Sequence, residues 1–290
     1  PIDGTGTVRV SNGTLTLSSA QSDFIGNVDL TNNGVLVVGG TQNVGGTGPL
    51  GLGSIISFNG GTLQFSAANS YDYSPQFSTA ANQAYKFDTA AQNVTFTNAL
   101  TSVGGTFTKL GSGVLTLAGT NTYNGLTVVG VGKGRIQWAA GSVGIVVSNR
   151  AVLRVTAGST AITPTTLTVG TTGSATLEFN NVSSTTTPQI AAGTISAGGP
   201  ITVNVASGSF VVGQSYPLFS WTTGTAPAVT LGTLVGAVGN LSTNGTMIQL
   251  NVTGLAYIWS GLTDGNWDTT TANNWKVNGV SQIWSDGNAA

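Results

Sequence analysis

Short stretches in which apolar and polar residues alternate recur along the whole chain, and each follows a turn rich in glycine or asparagine. Clear examples are residues 15–17 (Leu-Thr-Leu), 63–65 (Leu-Gln-Phe), 115–117 (Leu-Thr-Leu) and 177–179 (Leu-Glu-Phe). Successive side chains of a β-strand point to opposite faces, so the outer two residues of each triplet share one face. No segment keeps a helical period. The pattern predicts many short strands, each with one buried and one exposed face.

The spacing of these triplets indicates a repeat. Leu15 and Leu36 are 21 residues apart, and Leu36 and Leu63 are 27 apart. A loose repeat of about 20–26 residues is the amount of chain that one turn of a parallel β-helix needs. The sequence therefore predicts an all-β fold, a parallel β-helix (β-solenoid) of about ten turns over residues 1–255. A β-sandwich is the alternative, because many short strands with glycine-rich turns are also typical of that fold.

Composition argues against catalysis. The chain has no histidine and no cysteine, and only 6% of its residues are charged. The commonest general base and the thiol nucleophile are therefore missing. The only glutamate, Glu178, is expected on the outward face of its strand, and Asp23 and Asp29 flank a turn. We expect no enzymatic activity, no catalytic residues, no cofactor and no bound metal.

The balance of charge bears on partners. The net charge is −1, and nucleic-acid binding requires clustered positive charge, so a nucleic-acid partner is not expected. Four of the basic residues form a small strip that is expected to be solvated, or to touch an acidic glycan or an acidic patch on a neighbouring copy: Lys133, Arg135, Arg150 and Arg154. No apolar run is long enough to cross a bilayer, so membrane insertion is not expected. A nearly neutral surface favours association, which makes copies of the same chain the expected partner.

Residues 105–128 carry a specific motif. They read Gly-Thr-Phe-Thr-Lys-Leu-Gly-Ser-Gly-Val-Leu-Thr-Leu-Ala-Gly-Thr-Asn-Thr-Tyr-Asn-Gly-Leu-Thr-Val. This segment closely resembles the autotransporter-associated β-strand repeat of bacterial surface proteins. The resemblance implies a right-handed β-helix and a location outside the cell or on the bacterial surface. Within it, Lys109 is expected to be a solvated charge at a strand edge, and Tyr123 an aromatic anchor in a polar turn.

The segment 256–290, called the tail below, has a different composition. Its tryptophans follow one another in steps of 8, 8 and 9 residues: Trp259, Trp267, Trp275 and Trp284. It is similar to a tryptophan-rich segment that opens the passenger units of such surface proteins. We expect a β extension that completes the first turn of the next copy by strand addition. The predicted contact residues on that first turn are Val8, Val10, Leu15 and Leu17.

Two other interpretations of the tail remain open. The tryptophans could pack locally as a cap on their own chain. Alternatively, Asp264, Asp268 and Asp286 could bind calcium, because carboxylate oxygens are calcium ligands; Asp264 and Asp286 each precede a glycine, and Asp268 lies two residues after an asparagine. A glycan site is the other version of this second interpretation.

Two functions follow from the sequence. The first is a structural protein, a subunit of a self-assembling extracellular filament or surface matrix built by head-to-tail stacking. The alternative is an adhesin-like passenger, or a fragment of a large surface protein, that binds a host or glycan partner. An exposed aromatic insertion would favour the alternative, and residues 71–77, which contain Tyr71, Tyr73 and Phe77, are the candidate.

Overall fold

The computed structural model describes residues 2–43, 47–51, 53–130, 132–138, 144–156, 161–259, 274–277 and 280–282. In these ranges the chain is all-β apart from one turn of 3₁₀-helix, Ser74–Gln76. The abundance of Thr, Val and Gly agrees with this, since β-branched residues favour strands and good helix formers are scarce. The prediction of an all-β fold is confirmed.

Most strands belong to three sheets. The first has three strands: β1 (Thr7–Ser11), β3 (Asn27–Thr31) and β5 (Ile55–Asn59). The second has seven: β8 (Val94–Phe96), β10 (Val114–Asn121), β12 (Gly132–Trp138), β14 (Ala151–Thr156), β16 (Ala175–Asn180), β18 (Ile201–Val205) and β20 (Val229–Leu234). The third, called the long sheet below, has twelve: β2 (Thr14–Leu17), β4 (Val35–Val38), β6 (Thr62–Gln64), β7 (Ala84–Asp88), β9 (Thr106–Leu110), β11 (Thr127–Val129), β13 (Gly144–Val147), β15 (Thr166–Val169), β17 (Ile190–Ala197), β19 (Ser215–Thr223), β22 (Met247–Leu255) and β21 (Ala237–Asn244).

Apart from the consecutive long-sheet strands β6 and β7, the chain alternates up to β20 between the long sheet and the other two sheets. Over this part, neighbouring strands of a sheet come from successive turns and pair in parallel. For example, β14 pairs with β16, and β15 pairs with β17. The bridge between Ile56 and Phe77 continues the three-stranded sheet towards β8. This coiled order of parallel strands is compatible with a β-solenoid. It differs from the antiparallel pairing typical of a β-sandwich.

Stacking of the turns builds columns of buried side chains. In the long sheet Leu36, Leu63 and Phe87 are successive Cα partners, and all three are fully buried. The opposite wall contributes Leu153 and Leu177, which are also partners and fully buried. The inward orientation expected for the triplets at 63–65, 115–117 and 177–179 is confirmed.

The corners between strands depend on glycine and asparagine, as predicted. Asn12, Asn32 and Asn181 have φ values of 53°, 46° and 56°, a left-handed region that asparagine tolerates better than most residues. Asparagine side chains also connect turns. The Asn149 Oδ1 atom accepts hydrogen bonds from the backbone N–H groups of three consecutive residues, 171–173, on the next turn, at 2.8–3.2 Å.

The parallel order ends with a hairpin. β22 is antiparallel to both β19 and β21, and Gly245 and Thr246 form the turn between β21 and β22. The described part of the tail forms a separate three-stranded antiparallel sheet: β23 (Ile258–Trp259), β24 (Trp275–Val277) and β25 (Val280–Gln282). Among the described residues, no buried member of the main core cluster lies beyond Val252, so the described core is built by residues 2–255.

Candidate functional site: the two ends of the strand stack

The first turn leaves apolar side chains incompletely covered. β1 and β2 are edge strands of their sheets. Val8, Leu15 and Leu17 are only half-buried, whereas Leu36 and Val38 on the next turn of the long sheet are fully buried. Val10 is nearly buried, at 4% exposure. The four residues predicted for the contact surface therefore lie together on the two open edge strands.

A groove of about 270 Å³ adjoins this end, and the sequence did not predict it. Ile2 and Leu17 form its apolar part, and the hydroxyl-bearing residues at 16, 18, 19 and 22 form the rest. The backbone N–H of Ile2 donates to the Ser22 Oγ at 2.9 Å, which holds the start of the chain against the first corner. The head of the stack thus presents a concave, mostly uncharged surface.

The opposite end is open in the same way. β20 and β21 are the edge strands there. Val229, Leu234, Leu241 and Leu255 pack against the core but are only half-buried. The signal that could have indicated this end is Gly245, because glycine at the first position of a two-residue loop is typical of a hairpin and hence of a break in a parallel repeat.

The tail is only partly described. Trp275 is buried at 1% exposure, and its backbone pairs with Trp259 between β24 and β23. Trp267 and Trp284 lie outside the described residues, and for Trp259 only the backbone is described. Asp264, Asp268 and Asp286 also lie outside it. The predicted contact between the tail and the first turn of another copy remains a prediction.

The strip of basic residues differs from what the sequence predicted. The Lys133 Nζ lies 2.8 and 2.7 Å from the two carboxylate oxygens of Glu178, and the Arg154 Nε contacts the same carboxylate. Glu178 alternates with the core residues of β16 as predicted, but its exposure is only 6%. Burial raises the pKa of Glu178, and the hydrogen bonds and charges of the two cations more than offset this, so the pKa lies below its ordinary value. The expectation of freely solvated Lys133 and Arg154 side chains was wrong, because their charges are tied to the one glutamate.

The structure also corrects the prediction that Lys109 is a solvated charge. It occupies an inward position of β9, where Phe87 and Val129 are its Cα partners, and it is fully buried. Its Nζ donates to the Gly111 carbonyl at the following corner. Burial lowers the pKa of Lys109 to about 8, although the Asp88 carboxylate acts in the opposite direction. The expected solvated charge is therefore an interior one, satisfied by the backbone of a turn.

The insertion at 71–77 is packed rather than displayed. Tyr73 is fully buried, and its hydroxyl lies 2.8 Å from the Asn69 amide nitrogen, which donates to it. Phe77 is 7% exposed, with ring centroids 5.1 Å from Phe87 and 5.0 Å from Phe96. Tyr123, in the motif at 105–128, is fully buried, as expected of an anchor, and its hydroxyl lies 2.9 Å from the Thr127 Oγ1.

The described residues contain no group of three or more acidic side chains that could hold a metal ion. Asp23 is exposed, and Asp29 pairs with Arg9 at 3.0 Å. Over the same part of the chain no helix has the length and hydropathy of a membrane span.

Comparisons with protein-family models, curated proteins and solved structures found no match to this chain.

Proposed function

We propose that the chain is a right-handed β-solenoid that serves as the subunit of a self-assembling extracellular filament or surface matrix, built by head-to-tail stacking. One observation carries the proposal. In the described part of the chain, ten hydrophobic residues pack against the core while only half-buried; four lie within residues 2–17 and four within residues 229–255. The incompletely covered part of the core is thus concentrated at the two ends of the stack. Stacking of copies would cover both ends at once.

Strand direction supports the same arrangement. β21 is antiparallel to β22, which is antiparallel to β19, so β21 runs in the direction of β19 and of all earlier strands of the long sheet. A second copy related by translation can therefore place its β2 beside β21 as a parallel neighbour. Such a contact joins two different surfaces and does not close on itself, which generates an open filament.

Charge does not oppose this stacking. The whole chain carries a net charge of −1. Large net charge keeps proteins apart in solution, and near-neutral chains associate more readily. Unpaired edge strands are templates for pairing with another chain, and natural monomers usually protect them with charges or prolines. β2 carries neither, since its four residues are Thr-Leu-Thr-Leu.

Electron microscopy of the purified chain tests the proposal. The twelve strands of the long sheet, at about 4.8 Å each, predict unbranched fibres with an axial repeat of about 58 Å. Leu15→Lys places a charge on the inward side of the open edge and should abolish the fibres. Thr95→Lys places the same charge on the exposed outward side of β8, away from both ends, and should leave the ends of the stack able to join.

Two results would refute the proposal. One is a chain that stays monomeric by light scattering at millimolar concentration. The other is a pair of lysine variants, at positions 15 and 95, that form fibres equally well. Thermal melting of both variants distinguishes a blocked interface from a subunit that has failed to fold.

The adhesin alternative receives no specific support from the described residues. Its expected sign was an exposed aromatic insertion, and the aromatic rings of Tyr73 and Phe77 are in the interior. The large hydrophobic side chains that are exposed in the described part of the chain are all Ile, Leu or Val. We therefore retain the filament subunit as the proposed function.

A further inference from the structure

The two walls of the stack end at different heights. β18 and β19 belong to the same turn. Beyond β18 the seven-stranded sheet has one more strand, β20, whereas the long sheet has two more beyond β19, namely β22 and β21. At the other end β1 and β2 belong to the same first turn, so both walls start together. Among the described residues, the long sheet therefore projects one strand further than its opposite wall.

This step has a consequence for head-to-tail stacking, the arrangement on which the inference rests. If β2 of the next copy pairs with β21, then β1 of that copy, which belongs to the same turn as β2, lies two strand positions beyond β20. One strand position between β20 and the next copy's β1 stays open. This open position continues the seven-stranded wall and lies between two edge strands that run parallel, β20 and the next copy's β1. It has room for one strand.

The side chains of β20 are consistent with a missing neighbour. The inward residues Ile201 and Val203 of β18 are fully buried, but Val229 and Leu231, their partners on β20, are only half-buried. Just past the strand, Val235 is 45% exposed. A strand beside β20 would cover this apolar surface in the way that β20 covers β18.

The tail starts at this position. Leu255, the last residue of β22, pairs with Ala237, which lies three residues after the end of β20. The next residue, Ala256, donates its backbone N–H to the Gly236 carbonyl at 3.3 Å. The chain therefore leaves the hairpin beside the corner that joins β20 to β21. The 35 residues of the segment 256–290 are far more than a strand as long as β20 requires.

We infer that a single β-strand from the tail, residues 256–290, fills the open position between β20 and β1 of the next copy, and so completes the seven-stranded wall across each subunit junction. This strand hydrogen-bonds to both neighbours, so each junction contains a contact that neither copy can make alone. Leaving the edge of β20 unpaired would leave backbone N–H and C=O groups without partners inside the filament, which is energetically unfavourable.

Engineered cysteines can measure the strand count at the junction, because the natural chain contains no cysteine. A filled position puts β20 and the next copy's β1 two strand spacings apart, about 9.6 Å. A disulfide needs Cα atoms no more than about 7 Å apart. Thr230→Cys combined with Thr7→Cys, Arg9→Cys or Ser11→Cys should therefore form no direct disulfide in assembled filaments. A thiol-reactive linker of about 10 Å should join at least one of these pairs.

The matched control is on the long sheet, where direct pairing of β21 and β2 is expected. Asn240→Cys combined with Thr14→Cys or Thr16→Cys should give a direct intermolecular disulfide. A second arm adds an excess of a synthetic peptide of residues 256–290 to the full chain, which should shorten the filaments by competing for the open position. A peptide of the same composition in scrambled order should not shorten them.

The outcomes separate the two proposals. Filaments in which a cysteine on β20 forms a direct disulfide with β1 overturn the strand inference and leave the filament proposal standing. Filament length that is unaffected by the tail peptide also overturns the inference. A chain that forms neither filaments nor any intermolecular disulfide, including the control pair on the long sheet, overturns the proposed function and the inference with it.

Discussion

Replacing Lys109 by methionine should change how the stability of the protein depends on pH. Lys109 is fully buried in a column of apolar residues, and burial lowers its pKa from 10.5 to about 8. At about 1.4 kcal/mol for each pH unit, the charged form costs the folded state roughly 3 kcal/mol. Methionine has a similar length and no charge, so Lys109→Met removes that cost. It also leaves the Gly111 carbonyl without its lysine donor, a loss of about 1–3 kcal/mol.

The sign of the pH effect follows from proton binding. Below pH 8 both the folded and the unfolded chain hold the Lys109 proton, and the full cost is present. Between about pH 8 and 10.5 the unfolded chain holds a proton that the folded chain has released, so the free energy of unfolding rises with pH. Burial raises the pKa of Tyr85 to about 12, so the unfolded chain loses that proton first and stability falls again above about pH 10.

Urea denaturation followed by circular dichroism at pH 7, 8, 9 and 10 measures this effect. The wild type should gain up to about 3 kcal/mol across the range, and Lys109→Met should gain almost nothing. At pH 7 the two should have similar stability, and at pH 10 the wild type should be more stable. Lys86→Met, on the half-exposed outer side of β7, is the control and should keep the wild-type dependence. Equal pH dependence in the wild type and Lys109→Met would refute the interior placement of this charge.

Three further predictions concern other contacts. Asn149→Ala removes the acceptor of three backbone N–H groups and should lower the free energy of unfolding by about 1–3 kcal/mol. Asn149→Asp keeps an oxygen there and should lower it less, and urea denaturation of both variants measures the difference. Glu178→Gln leaves two half-buried cations without their counter-charge, so it should lower the free energy of unfolding by about 1–2 kcal/mol at pH 7 but by little below the lowered pKa of Glu178. Asp29→Asn breaks a more exposed ion pair and should lower it by under about 1 kcal/mol; equal losses for the two variants would contradict the burial argument. Deletion of residues 256–290 should abolish filaments in electron micrographs without loss of the β-sheet signal in circular dichroism, because Val252 is the last buried residue of the described core.

Local pattern predicted the strands well because strand orientation is a local property. A triplet such as 63–65 needs only its own alternation to indicate which side is buried. The step of about 20–26 residues then predicted that strands from successive turns would be neighbours. Asparagine corners such as Asn12 and Asn32 were also predictable, since few residues adopt a positive φ without strain.

The burial of charges could not be predicted in this way. Lys109 reads as a polar residue in an alternating strand, and only the position of the Gly111 carbonyl makes an inward lysine acceptable. Glu178 is shielded by cations that lie 45 and 24 residues away in the sequence, and which turns come together depends on the register of the whole stack. The unequal ends of the two walls have the same origin, because they depend on which strand of the hairpin with its loop at 245–246 lies next to β19.

The stacking of turns also determines how the molecule responds to tension. Leu153 and Leu177 are Cα partners on successive turns, so one turn there contains 24 residues. At about 3.3–3.6 Å for each extended residue, a turn pulled off the end of the stack releases about 80 Å of chain, while the stack shortens by only about 5 Å. Each turn contacts mainly its two neighbours, so a pulling force applied at the ends would peel the turns away one at a time. A fibre made of such units would lengthen in steps of about 80 Å and absorb mechanical work at each one before it broke.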